Sequence, residues 1–111
     1  MRGFIGEFEE LILLTIAALG DDAYGVSVKE DIEMRASRSI SIGALHSTIT
    51  RLEEKGFIES RLGGATQERG GRKKRYFTLT LEGKQGLAKI KNLRDELWAN
   101  PNAKVALADF L

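Results

Sequence analysis

Phe4, Phe8, Leu11, Ile12, Thr15, Ala18 and Leu19 keep the spacing of one helical face, predicting a first helix over Phe4–Leu19. Leu13, Leu14 and Ile16 fill its other faces, so this helix must be covered on more than one side. A second subunit is a natural cover in so small a chain. Gly20 ends the helix, and Asp21 or Asp22 can cap the next. That second helix runs from about Ala23 to Ala36, with Tyr24, Val28 and Ile32 stacked at four-residue intervals. The polar stretch from Ser37 to Ser41 breaks it.

Ser41 is placed to cap a third helix through the amide of Ala44, with Ile42, Leu45, Ile49 and Leu52 as its apolar stripe. Gly56 closes that helix just after Lys55. "FIESRL" (57–62) and "RYFTL" (75–79) are rich in aromatic and β-branched residues and predict a two-stranded antiparallel ribbon. The connection between them is long for a hairpin, and its tip is expected to be mobile. Thr80 can cap a fourth helix with the stripe Leu87, Ile90, Leu93 (or Arg94) and Leu97. Asn100-Pro101 stops or kinks it, leaving "NAKVALADFL" as a short apolar tail. The fold class is therefore mainly α with a small two-stranded β-wing. Helix, helix, turn, helix, hairpin, helix is the order of a winged helix-turn-helix, with residues 1–80 as the DNA-binding domain.

Charge sharpens this picture. The formal net charge of the 111 residues is only +1. Yet residues 1–36 carry net −5, while residues 37–86 carry 10 basic and 5 acidic side chains. Such a chain is suited to meeting an anion with one face. Five of the seven residues from Arg69 to Arg75 are basic, in "TQERGGRKKRYFTL", where the glycine-rich loop of the wing should lie. Arg69, Arg72, Lys73 and Lys74 can lie along phosphates or enter a minor groove. Arg75 can instead belong to the strand proper. The bland alternative is a charged edge that blocks aggregation.

On the third helix, Gly43, Ala44, Ser47, Thr50, Arg51 and Glu54 point away from the apolar stripe, with His46 and Thr48 on its two flanks. Small residues in the first turn permit close approach to another surface. Hydroxyls and a guanidinium farther along can bond base edges or backbone oxygens. The expected DNA-binding residues are Ser41, Gly43, Ala44, His46, Ser47, Thr48 and Arg51, together with Arg69, Arg72, Lys73 and Lys74.

Other chemistry is poorly supplied. There is no cysteine, which excludes disulfides and thiolate metal sites, and His46 alone makes no transition-metal site. No serine or carboxylate arrangement suggests a catalytic centre, and "LGGATQERGG" lacks the spacing of a nucleotide-phosphate loop. No enzyme activity, metal or cofactor is expected. The longest apolar run, "LILLTIAALG", is half what a bilayer needs, and Glu7, Glu9 and Glu10 interrupt any N-terminal signal. A soluble, cytoplasmic protein without membrane contact is expected. Trp98 reads as an interface or core anchor, or as the lining of an effector pocket between subunits.

The stretches "GEFEELILLTI", "DDAYGVSVKEDIE", "SIGALHSTITRLEEKGFIESR" and "ERGGRKKRYFTLTLEGKQGL" together resemble the short branch of the PadR family of transcriptional regulators. The resemblance implies a winged helix-turn-helix followed, over residues 81–111, by a C-terminal dimerisation helix and short tail. It also implies a homodimer on inverted-repeat operator DNA, usually a repressor, often relieved by a small aromatic or drug-like compound. In the family an aromatic near the C-terminal helix can stack on such a ligand, a position Trp98 fits. The sequence departs from the family at His46, where a tyrosine is usual. A different class of function, a winged-helix module binding an acidic protein partner, would answer the same electrostatics.

Overall fold

Three glutamates in and around the first helical turn set the frame. The computed structural model describes residues 4–63 and 73–111. Its first helix, α1, spans Glu7–Leu19 and not Phe4–Leu19, because the Glu9 carboxylate reaches back to accept the Gly6 amide at 2.8 Å. This is half of a capping box and fixes the start of the helix. Glu9 is buried beside Lys55, whose Nζ donates to it at 2.9 and 3.0 Å and also to the Phe4 carbonyl oxygen at 2.9 Å. Glu7 takes Arg38 at 2.9 Å, and Glu10 takes Arg94 at 2.8 Å. One helix start is thus tied to three other parts of the chain.

α1 is the central helix, packed against its own α2 (Gly25–Ala36), α3 (Ile42–Glu54), the hairpin and α4 (Leu81–Ala99). Ile12, Leu13 and Ile16 are fully buried, while Leu14 is about half exposed. The all-round apolar character of α1 is therefore largely explained by cover from its own chain.

Neither Asp21 nor Asp22 caps α2. Both lie in a short 3₁₀ turn, Gly20–Asp22, and α2 begins two residues later than expected, at Gly25. Its start is fixed from inside by Ser27, whose hydroxyl accepts the Tyr24 amide at 2.9 Å. The extended segment so created adds an edge to the wing: the Phe77 amide donates to the Ala23 carbonyl at 2.8 Å, and Tyr24 bridges Tyr76.

The remaining ends follow the sequence closely. The Ser41 hydroxyl accepts the Ala44 amide at 3.1 Å, and Thr80 Oγ1 accepts the Gly83 amide at 3.1 Å. Gly56, at φ +79°, turns the chain out of α3 in a conformation that disfavours any side chain. β1 (Ile58–Gly63) and β2 (Lys74–Leu79) then pair antiparallel, with Ile58 opposite Leu79 and Ser60 opposite Phe77. Phe57, Ile58 and Phe77 close the core from below.

α4 is seated on the root of this hairpin. Thr80 Oγ1 donates to the Gly56 carbonyl at 2.6 Å and the Thr80 amide to Phe57 at 3.0 Å. A Cβ on Gly83 would sit 2.2 Å from the Phe57 carbonyl oxygen, so helix and hairpin touch backbone to backbone. Beyond Leu87 the apolar cover thins: Leu93, Leu97 and Trp98 are all more than half exposed, and the Arg94–Glu10 pair ties this stretch back to α1. The tail is not a loose apolar end. Asn100 accepts the Asn102 amide at 2.9 Å, and Pro101 opens a further helix, α5 (Pro101–Leu107), followed by a 3₁₀ turn, Ala108–Phe110. No described helix is long and apolar enough to cross a membrane.

Candidate nucleic-acid interface

α3 is held by one side only. Leu45 and Leu52 are fully buried, Ile49 nearly so, and each such side chain contributes about 1.5–3 kcal/mol to keeping the helix down. The opposite side is bare: Ser41, Gly43, Ala44, His46, Ser47, Thr50 and Arg51 are all exposed. The hydroxyls on this side bond along their own helix, Ser47 to the Ala44 carbonyl at 3.3 Å and Thr50 to that of His46 at 2.9 Å. Each hydroxyl oxygen keeps acceptor capacity toward an incoming donor.

Thr48 is the exception among the expected contacts. It is 2% exposed and packs with the core, so it cannot reach a duplex. Its hydroxyl instead accepts a guanidinium nitrogen of Arg51 at 3.2 Å. Glu9 approaches Arg51 from the other side, at 3.8 Å. Burial of Glu9 pushes its carboxyl up. The Gly6 amide, the hydrogen bond and charge of Lys55, and the charge of Arg51 together outweigh this and hold it below its ordinary range. The result is a half-exposed guanidinium set between two fixed neighbours at the edge of the bare face.

At the wing root, Lys73 and Lys74 are exposed, and Lys74 Nζ stands 4.2 Å over the ring of Tyr24. Arg75 belongs to the strand: it pairs with Glu53 at 2.9 Å and donates to Ser60 at 2.9 Å, locking hairpin to α3. Arg69 and Arg72 lie outside the described residues. A cleft of about 280 Å³ separates α3 from the wing, with His46, Thr50 and Glu53 on one wall and Lys74, Arg75 and Phe77 on the other.

This arrangement has close counterparts. The sequence model of the transcriptional regulator PadR-like family matches residues 12–89, from the centre of α1 into the first half of α4. The chain belongs to that family.

Solved structures of transcriptional regulators, two of them PadR-like, agree with the assignment. A PadR family transcription regulator from Clostridium difficile R20291 is 28% identical, covers 95% of this chain and 98% of its own, and superposes with a TM-score of 0.67. A transcriptional regulator from Clostridium thermocellum is 26% identical over 99% of this chain and 95% of its own, with a TM-score of 0.64. A PadR-like regulator from Bacillus cereus shares the fold at 20% identity and a TM-score of 0.69, over 94% of this chain and 92% of its own. Among curated proteins, none matches the chain.

In this PadR-like chain Trp98 stands apart from α3, half exposed between two hollows. One, of about 460 Å³, lies between α1 and α4 and is lined by Glu10, Leu14, Leu87, Arg94 and Trp98 among others. The other, of about 170 Å³, lies between α4 and α5. Arg94 borders both, and its ion pair with Glu10 holds its guanidinium above the ordinary range.

Sequence reasoning missed three features of the α3–wing face. Ile42, assigned to the apolar stripe, is 51% exposed at the mouth of the cleft, and Val26 across from it is equally exposed. Arg61, on β1, lies 4.9 Å over the ring of Tyr76. The strand register opposes Arg61 to Tyr76 and could have revealed that pair. Nothing in the local sequence marks Ile42 as uncovered.

Proposed function

We propose that this PadR-like protein is a sequence-specific DNA-binding regulator, a homodimeric repressor relieved by a small aromatic ligand and acting in the cytoplasm. The observation that carries the reading is the bare side of α3. Gly43 and Ala44 allow close approach, Ser47, His46 and Thr50 offer hydrogen bonds, and the half-exposed Arg51 flanks them. Lys73 and Lys74 extend the same side toward phosphate, with Arg69 and Arg72 continuing the cluster in sequence. Ser41 serves chiefly as the cap that fixes the first turn. Two copies joined through the exposed outer half of α4 would present two recognition helices roughly 34 Å apart to an inverted repeat. The hollow beside Trp98 falls in the size range of small-molecule sites, about 300–1,000 Å³, and has an aromatic wall.

The direct test is selection of fragments from a random duplex library at two salt concentrations. Enrichment of an inverted repeat with half-sites one turn apart supports the reading. Unsorted binding removes sequence specificity from it, and no binding at either salt refutes it. Replacing Lys73 and Lys74 together with alanine should weaken binding to all sequences and flatten the salt dependence by about one unit of slope for each phosphate no longer neutralised. A slope identical to the wild type would take both lysines off the phosphates. A compound that quenches Trp98 fluorescence and releases the selected operator would support the ligand arm of the reading.

A further inference from the structure

Two β-branched aliphatic side chains stand uncovered where the protein is otherwise polar. Ile42, the first residue of α3, and Val26, in the first turn of α2, are each 51% exposed. They line the same cleft, whose deeper wall is the buried pair Ile49 and Phe77. His46, Thr50 and Lys74 surround this apolar strip with hydrogen-bonding groups and a positive charge. An isolated apolar strip inside a polar, cationic rim has little to gain from water and is poorly placed to join the core.

The first turn of a recognition helix is the part that meets base edges in the major groove. Those edges are hydrogen-bonding groups with one apolar exception, the C5-methyl of thymine. We propose that Ile42 is a specificity-determining residue that packs on a thymine methyl in each half-site, with Val26 forming the second wall of the slot. The proposal rests on the DNA-binding reading above and extends it from backbone attraction to the reading of one base. Small residues follow at Gly43 and Ala44, so nothing larger stands between Ile42 and the groove floor on that turn.

Deoxyuridine pairs as thymidine does but lacks the methyl, which isolates the contact. The selected operator is resynthesised with each thymine in turn replaced by uracil, and the full-length protein is titrated against every version. At one position per half-site, uracil should weaken wild-type binding about threefold to fourfold, the equivalent of about 0.8 kcal/mol for one buried methyl. Ile42→Ala should bind the thymine and uracil versions of that position equally well, while every other uracil position behaves as in the wild type. Ile42 is half exposed and alanine is a better helix former, so the variant should fold; Ile42→Val, keeping part of the surface, should show an intermediate response. Wild-type indifference to uracil at every position overturns the proposal, as does sensitivity that persists unchanged in Ile42→Ala. Those results leave the DNA-binding reading standing. Failure of the wild type to bind any duplex instead overturns that reading, and this inference with it.

Discussion

Gly83→Ala should destabilise the protein by about 3 kcal/mol, at the upper end of the cost of overpacking, although alanine is the better helix former. The new methyl carbon would sit 2.2 Å from the Phe57 carbonyl oxygen and 3.1 Å from its carbon. Both obstacles are backbone, so no rotation of a side chain relieves the clash. Either α4 lifts from the hairpin root or the Phe57 peptide turns away, and the second course breaks the bond it accepts from the Thr80 amide. For a chain of this size the midpoint of thermal unfolding should fall by roughly 10–20 °C. Circular dichroism on the pair of proteins measures it. A midpoint within a few degrees of the wild type would mean that α4 is not seated on Phe57 as described.

The second large effect is expected at Glu9. Its carboxylate accepts from Gly6 and Lys55 and lies 3.8 Å from Arg51, so truncation leaves a half-buried ammonium and a helix-start amide without their partner. Glu9→Ala should cost about 2–4 kcal/mol, somewhat below the full penalty for breaking a buried pair because Lys55 is not wholly enclosed. The same contacts give a pH signature. Because the folded-state carboxyl is held below its ordinary range, the charged form favours folding. That contribution is complete above the unfolded glutamate value and disappears as pH drops below about 4 and through the lowered folded value. Denaturant midpoints should therefore decline more steeply between pH 6 and pH 3 for the wild type than for Glu9→Gln. Parallel declines would place the acid sensitivity elsewhere.

How much of this was legible in the sequence depends on the range of the interaction. Ends set by a single side chain could be read directly: Ser41 to the Ala44 amide, Thr80 to the Gly83 amide, Gly56 after Lys55. The two-stranded ribbon followed from aromatic and β-branched content, while its register did not. Where two local signals compete, the sequence misleads. Asn100-Pro101 reads as a stop and does end α4 at Ala99, yet the same dipeptide is also an N-cap followed by proline at the first helical position, and it starts α5. Ser27 outcompeted the two aspartates because it can reach the Tyr24 amide from within the helix.

The candidate site divides in the same manner. The exposed side of α3 is a matter of helical phase and was recovered apart from its edges. Thr48 and Ile42 sit one on each side of the buried stripe, where phase alone does not decide; tertiary packing enclosed the first and left the second open. The Arg75–Glu53 pair joins residues 22 apart and needed the hairpin's placement to be known. Arg69 and Arg72 lie outside the described residues, so their part remains the proposal made from the sequence.

The seat of α4 on the hairpin root makes the helix a rigid arm. From Gly83 to Ala99 the helix extends about 24 Å, so a pivot of only about 5° at Gly83 displaces the far end by roughly 2 Å. The converse is demanding. In the proposed dimer, anything that spreads or draws together the outer ends of two such arms by the width of a methyl group would have to turn the hairpin roots, and the α3 helices locked to them through Arg75 and Glu53, by several degrees. Arg94 sits well along that arm and Trp98 near its end. In the dimer proposed above, fine adjustments there would be geared to the spacing of the two recognition helices.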